Sequence, residues 1–368
     1  MKDTTVYAGV GCLEKNREAL ILGNRALIVT GRSSAKASGA LDTVTAILDG
    51  ADIPYTVFDE ITENPLFEDC RRAGERGHDF GCDFVIGIGG GSPLDAAKAA
   101  AAFALHPTMS EEQLYDTASY PLVLPIVAVP LTAGTGSEVN AYAVLTCGDR
   151  KRSFCTPDTL PRVAFLEPRF LRTLSARYTV STMIDAFSHC LESYLSPKST
   201  VESEKDALAG GKLLWELLTQ NDFADNGEDR AGLTEEQRLS SLLGASYGGR
   251  AIKVTGTGFP HPLGYGLTLR HGIPHGFACG AFAGVYIEKN QTTPLGRQRL
   301  DAFADAIGTT PAIIGAVIPA LSDVNLSLTA EEIETMIALV SGAKNYVNAP
   351  YLLSDEEGKA ILTDFFGV

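Results

Sequence analysis

The sequence predicts two halves of different class: an α/β N-terminal half built on a parallel sheet, and an all-α C-terminal half. Three observations predict this. Short apolar runs alternate with helical stretches up to about Leu171. Beyond Leu171, β-branched runs become rare and long helical patterns dominate. Within the first half, two glycine-rich turns follow directly on apolar runs, where a parallel sheet places its ligand-binding strand ends.

Taken in order, Ala26-Leu-Ile-Val-Thr30 reads as a buried strand, followed by the turn Gly31-Arg-Ser-Ser34 and a helix from about Ala40 to Leu48. Tyr55-Thr-Val-Phe58 is a second strand, and Phe84-Val-Ile-Gly-Ile88 a third. Gly89-Gly-Gly-Ser92 then leads into an Ala-rich helix from Pro93 to Leu105, and Pro125-Ile-Val-Ala-Val129 is a fourth strand. Strands alternating with helices in this way build a sheet covered on both faces. The second half offers helices over Ser181–Leu195, Ser203–Leu218, Glu235–Tyr247 and Ala330–Val340. The segments 107–119 and 222–230 read as polar surface loops, the second of them acidic.

At roughly 150 residues per domain, 368 residues allow two or three domains. Asp and Glu number 45 against 30 Lys and Arg, a formal charge of −15. Such a chain is a poor partner for nucleic acid or an anionic membrane surface. The start, Met1-Lys-Asp-Thr-Thr5, has no apolar leader region, and no run approaches the ~18 apolar residues of a membrane span. The seven cysteines are odd in number and form no CxxC. They read as reduced thiols of a cytoplasmic protein, each a small buried apolar side chain.

Gly89-Gly-Gly-Ser92 joins a buried strand to a helix with Pro93 in its first turn, where the missing N–H costs nothing. Consecutive glycines allow close backbone approach, and the N–H groups of the helix start attract a phosphate. Thr132-Ala-Gly-Thr-Gly-Ser137 follows another strand and offers the hydroxyls of Thr132, Thr135 and Ser137. Two such turns suggest a long anionic ligand along the sheet edge, such as a dinucleotide. The turn Gly31-Arg32-Ser33-Ser34, with Lys36 close by, lacks the acid that usually holds an NAD ribose. Cations and hydroxyls in its place favour the 2′-phosphate of NADP.

The chain has six histidines. Asp185 and His189 stand at i and i+4 on one helix face, and His261 and His275 follow downstream between prolines and glycines. One carboxylate and three imidazoles make a nitrogen–oxygen site for a first-row divalent ion, Fe2+ or Zn2+. His271 lies between two of these residues and is a candidate proton relay. His78 and His106 read as surface residues.

Gly89-Gly-Gly-Ser-Pro-Leu-Asp95, Thr132-Ala-Gly-Thr-Gly-Ser-Glu138, Asp185-Ala-Phe-Ser-His-Cys-Leu-Glu-Ser-Tyr194 and Pro274-His-Gly276 resemble, in order, the motifs of the iron-containing (group III) alcohol dehydrogenase family. The resemblance runs over nearly the whole chain. It implies a dinucleotide-binding α/β domain over 1–173 and a helical metal-binding domain over 174–368, with metal and cofactor in the interdomain cleft. It implies Asp185, His189, His261 and His275 as metal ligands. It places the cofactor on Gly31, Arg32, Ser33, Ser34, Asn64, Gly89, Gly90, Gly91, Ser92, Asp95, Thr132, Thr135 and Ser137. Many members carry a further histidine where this chain has Tyr265, so Tyr265, His271 or a water chain takes the proton path. The implied activity is hydride transfer between NADP (or NAD) and a small primary alcohol or its aldehyde, by a homodimer. The alternatives are a glycerol or polyol dehydrogenase, a non-redox lyase like dehydroquinate synthase, and a non-catalytic protein keeping both sites.

Overall fold

The computed structural model describes residues 3–116, 118, 122–148, 150–221, 223 and 231–368. The chain forms two compact units, Met1–Ala176 with Asp222–Ser246, and Arg177–Asn221 with Tyr247–Val368.

The first unit is built on six strands: β1 (Thr5–Ala8), β2 (Ala26–Gly31), β3 (Tyr55–Ile61), β4 (Phe84–Gly89), β5 (Ile126–Pro130) and β8 (Val163–Leu166). Their order is β1-β8-β5-β4-β2-β3, and every pair is parallel. The remaining two, β6 (Tyr142–Cys147) and β7 (Arg150–Cys155), form a separate antiparallel pair. The helices of this part are α1 (Cys12–Lys15), α2 (Arg17–Leu20), α3 (Ser34–Ala37), α4 (Ala40–Gly50), α5 (Phe67–Phe80), α6 (Gly91–Leu105) and α7 (Glu111–Tyr115).

Strands β4, β5 and β8 are buried at every position, which is why they read as unbroken apolar runs rather than alternating ones. Successive side chains feed two cores. Leu27, Val29 and Val85 join the Ala-rich face of α6, while Ile28, Ile86 and Val127 join Leu41, Val44 and Leu48 of α4.

The parallel sheet is as the sequence predicts, and the differences are local. β1 and β8 are four residues each, too short to stand out as apolar runs, and β8 lies between Pro161 and Pro168. The β6–β7 pair starts at the half-exposed Tyr142 and carries four charged or polar residues in Arg150–Ser153, so it lacks an apolar signature. Helix α6 starts at Gly91 rather than Pro93, with Gly90 as its N-cap. The segment 107–119, expected as loop, holds α7 behind a Ser110–Gln113 capping box. The acidic stretch 222–230 lies outside the described residues apart from Phe223.

Lys98 interrupts the apolar run of α6 yet is fully buried. Its amine donates to Ser137 Oγ and to the Tyr142 carbonyl, both at 2.6 Å, and stands 3.7 Å from Asp95 Oδ1. This ties the helix to the second glycine turn and to β6.

The second unit is helical: α8 (Ala176–Leu195), α9 (Val201–Gln220), α10 (Glu235–Thr255), α11 (Pro260–His271), α12 (His275–Gly280), α13 (Ala283–Gln291), α14 (Pro294–Ala306), α15 (Pro311–Ser322), α16 (Ala330–Val340) and α17 (Asp355–Phe366), the start of α10 belonging to the first unit. Helix α10 runs eight residues past the expected Tyr247, because Gly248 lets it lie against the Ala186 carbonyl of α8. Among the described residues no single helix is long and apolar enough to cross a membrane.

Candidate active site

In the first unit, the glycine turns after β4 and β5 pack on one another. A side chain at Gly91 would stand 2.5 Å from Thr135 Cγ2, and one at Gly90 would stand 3.1 Å from Thr132 Oγ1. Gly89 has φ 156°, and a Cβ there would lie 2.4 Å from Pro93. The turn after β3 joins them. Asn64, with φ 54°, donates its N–H to Ser92 Oγ at 3.1 Å, and its carbonyl accepts from Thr146 Oγ1.

Beside these turns lies a cavity of about 1240 Å3. Of the expected cofactor residues, Ser33, Ser34, Gly90 and Thr132 line it. Gly31 ends β2 and Arg32 is exposed next to it. Asp95 and Ser137 are used differently. Ser137 is buried and donates to Asp95 Oδ1 at 2.6 Å, while Asp95 Oδ2 accepts from the Val144 N–H, so both belong to the Lys98 network. Lys36, read as a cation for a phosphate, pairs with Asp59 of β3 at 2.6 Å. Arg172 and Arg238 also line the cavity and were not expected there. Arg172 pairs with Glu235, and Arg238 is buried. Arg238 sits in a segment that the sequence gives to the helical half but that folds into the first unit.

In the second unit, Asp185 and His189 stand one turn apart on α8, while His261 and His275 open α11 and α12 just after their N-caps. Helix α12 touches α8 so closely that a Cβ on Gly276 would lie 1.7 Å from the Ser181 carbonyl oxygen. The four side chains converge. The Nε2 atoms of His189, His261 and His275 lie 3.6, 3.5 and 3.8 Å from Asp185 Oδ1. The His189 and His261 rings are stacked at 4.9 Å. Asp185, His189 and His261 are buried, whereas the His275 side chain is 27% exposed and marks the open edge of the group.

Burial alone would raise the Asp185 carboxyl, but the three imidazoles hold it well below the usual carboxylate range. Burial would lower His261, yet the Glu192 and Asp185 carboxylates outweigh it and raise the metal-free ring to about 10. Asp185 Oδ1 and His261 Nε2 are buried and make no hydrogen bond among the described residues. Such orphaned atoms are costly unless something sits between them. A divalent cation fits: the donors are one carboxylate and three imidazoles, and the three Nε2 atoms lie within 3.8 Å of Asp185 Oδ1.

Glu192 is a residue that sequence reasoning missed. It is 1% exposed; its Oε2 accepts from His261 Nδ1 at 2.9 Å and from the Gly258 N–H at 2.5 Å. The carboxylate holds the Nδ1 proton and leaves Nε2 as the ligand atom, the usual outer-shell arrangement of a metal-bound histidine. The signal was present: Asp185, His189 and Glu192 fall at i, i+4 and i+7, one face of a helix. Glu192→Ala is expected to weaken zinc or iron binding roughly 10–100-fold in a chelator competition. The ion has to displace the Nε2 proton, so apparent affinity is expected to rise with pH toward about 10. That rise should be shallower in Glu192→Gln, which keeps the hydrogen bond but not the charge.

Tyr265 stacks on His275, with ring centroids 5.9 Å apart. Burial and the nearby Cys279, Glu192 and Asp185 keep its phenol above the ordinary range, so it holds its proton at neutral pH. His271 Nε2 stands 3.8 Å from Glu332 Oε1 of α16.

Residues 3–168 match the family described as iron-containing alcohol dehydrogenase, and residues 179–350 match its C-terminal domain. The chain belongs to the iron-containing alcohol dehydrogenase family. It is an oxidoreductase, and its relatives fit that class. It is 31% identical over 288 residues to a long-chain primary alcohol dehydrogenase of Thermoanaerobacter ethanolicus, spanning 75% of this chain and 70% of that one. It is 34% identical to a phosphonoacetaldehyde reductase of Streptomyces viridochromogenes over 62% of each chain. The crystal structure of an iron-containing alcohol dehydrogenase from Thermotoga maritima superposes with a TM-score of 0.89 at 35% identity, covering 100% of this chain and 98% of that one. A sulfoacetaldehyde reductase from Bifidobacterium kashiwanohense, solved with NAD+, superposes with a TM-score of 0.85 at 26% identity, covering 99% of this chain and 97% of that one. In this iron-type dehydrogenase the alternative readings as a lyase or a polyol dehydrogenase are not favoured, since these relatives are alcohol dehydrogenases and aldehyde reductases.

Proposed function

We propose that this dehydrogenase reduces small aldehydes with NADPH, and oxidises the corresponding primary alcohols, as a cytoplasmic homodimer. The observation that carries the reading is the convergence of three imidazole Nε2 atoms within 3.8 Å of Asp185 Oδ1. Asp185, His189, His261 and His275 would hold the metal. When bound, a divalent ion supplies Lewis acidity at the carbonyl or hydroxyl oxygen of the substrate, and a nicotinamide supplies or accepts the hydride.

The remaining work falls to the chain's own residues. The N–H groups at Gly89, Gly90, Gly91 and Ser92 bind the pyrophosphate at the start of α6. Gly31, Ser33 and Ser34 line the path of the ribose, and the exposed Arg32 takes its 2′-phosphate. Asn64, Thr132 and Thr135 hold the turns that flank it, and Asp95 and Ser137 act from beneath through Lys98. Tyr265 keeps the His275 ring in place and holds a proton at its phenol oxygen. His271, beside Glu332, exchanges a proton with solvent. The division at 173/174 into a nucleotide-binding and a metal-binding domain goes with this reading, apart from Asp222–Ser246, which joins the first unit.

The test is metal analysis of protein purified without oxygen, followed by a panel of acetaldehyde, butanal, phosphonoacetaldehyde and sulfoacetaldehyde with NADPH and NADH. His189→Ala is expected to lose metal and turnover together. Full turnover in metal-free His189→Ala would sink the proposal. Arg32→Ala is expected to raise the KM for NADPH roughly 10–100-fold, the worth of one charge-assisted contact to phosphate, and to leave that for NADH nearly unchanged.

A further inference from the structure

We propose that Asn348 is a positioning residue for the metal centre: its carboxamide pins the turn 255–258, and through Gly258 and Glu192 it sets the ring of His261. The inference rests on the metal-centre reading above and names a residue that the centre needs although it does not touch the ion.

The turn joins α10 to α11 and reads Thr255-Gly-Thr-Gly258. Gly256 has φ 72°, and two glycines in three residues leave such a segment little conformational preference of its own. Its position is set from outside. Asn348 is 2% exposed, and its amide nitrogen donates to the Thr255 carbonyl at 2.8 Å and to the Thr257 carbonyl at 3.0 Å. Its Oδ1 accepts from Ser196 Oγ at 2.9 Å, so both donors and the acceptor are used. Asn345, in the turn Lys344–Val347 just before it, donates to Thr257 Oγ1 at 2.7 Å. On the other side, Thr255 Oγ1 donates to Ser193 Oγ at 2.9 Å.

The pinned turn reaches a metal ligand. The Gly258 N–H donates to Glu192 Oε2 at 2.5 Å, and the same oxygen accepts from His261 Nδ1 at 2.9 Å. The bonds close on themselves: Ser196, whose N–H donates to the Glu192 carbonyl at 3.1 Å, returns to Asn348. An apolar side chain could fill the same space without burying polar groups. A carboxamide instead fixes two carbonyls and a hydroxyl at set distances. With the turn pinned, the charge-assisted bond from Gly258 keeps Glu192 on His261, whose Nε2 stands 3.5 Å from Asp185 Oδ1. With the turn loose, Glu192 follows Gly258 and the ring loses its fixed tautomer and direction.

The experiment titrates metal-depleted protein with Co2+ against a chelator without oxygen, reading the visible Co2+ bands, with urea unfolding of the metal-free protein alongside. Asn348→Leu, close in size, is expected to bind about tenfold more weakly and to shift the bands. Ser196→Ala removes one bond of the clasp and should weaken binding roughly two- to fivefold, which keeps the test decisive if Asn348→Leu does not fold. Asn290→Leu is the structural comparison. Asn290 is fully buried, donates to the Tyr286 carbonyl at 2.8 Å and accepts from the Tyr351 N–H at 3.0 Å, with no bond to the turn among the described residues. Its variant should lose stability yet keep the wild-type affinity and spectrum. In a Glu192→Ala background, Asn348→Leu should weaken binding no further, because the path is already cut. Wild-type affinity in Asn348→Leu or, failing that variant, in Ser196→Ala would overturn the proposal. So would an equal loss in Asn290→Leu, or additive losses with Glu192→Ala. His261→Ala separates the two readings. If it binds Co2+ like the wild type, the metal centre itself is wrong. If it loses Co2+ while the Asn348 and Ser196 variants keep wild-type binding, only the positioning role is wrong.

Discussion

Gly276→Ala is expected to destabilise the protein by about 3 kcal/mol or more and to empty its metal site before the rest of the fold is lost. An added Cβ would stand 1.7 Å from the Ser181 carbonyl oxygen, 2.6 Å from its carbon and 3.0 Å from the Asp185 backbone nitrogen. None of these is the end of a flexible side chain, so nothing can give way cheaply. Overpacking usually costs about 1–3 kcal/mol, and backbone obstruction belongs at the upper end or beyond. The strain falls on the two segments that carry Asp185 and His275, so zinc stoichiometry should drop in protein that still has native helix content. Urea unfolding and metal analysis on the same preparation check both parts. Gly50→Ala is the contrast, because a Cβ there meets nothing within 4 Å. It is expected to be neutral or to stabilise by roughly 0.4–1 kcal/mol through the unfolded chain.

Lys98→Met should cost about 3–5 kcal/mol, the usual result of removing one partner from a buried charge pair. Methionine keeps the length of the stem but deserts three groups at once. Ser137 Oγ and the Tyr142 carbonyl each lose a 2.6 Å partner, and Asp95 loses the cation that offsets the burial raising its carboxyl. Lys98 anchors Ser137 in the second glycine turn, so the survivors should also show a raised KM for the nicotinamide cofactor. Asp95→Asn combined with Lys98→Met should cost less than the sum of the two single changes, because the double variant leaves no uncompensated carboxylate. Additive costs in urea unfolding would show that the two residues act independently.

Both predictions depend on contacts that no sequence pattern displays. The parallel sheet was legible because β2, β4 and β5 are buried on both faces and spell unbroken apolar runs. The convergence of Asp185 with His189 was legible from helical spacing, and that of His261 and His275 from likeness to a family. Glu192 was legible in principle at i+7 from Asp185 and was passed over. Lys98 looked like an interruption, because a cation in an alanine run gives no hint of the hydroxyl and carbonyl that its amine reaches 39 and 44 residues downstream. Asp59 was equally hidden. Only the pairing of β2 with β3 brings it to Lys36 and removes that cation from the phosphate argument.

The strand order has a consequence for biosynthesis. Among the described residues β1 bonds only to β8, with Thr5 opposite Val163, and β8 also fills the place between β1 and β5. Strand β1 is made well before β8 and therefore waits for its partner. Until β8 has emerged, β5 offers a bare edge to any neighbouring nascent chain. Slow decoding or an early pause within that stretch would lengthen the exposure, and a chaperone that shields extended apolar segments would shorten its harm.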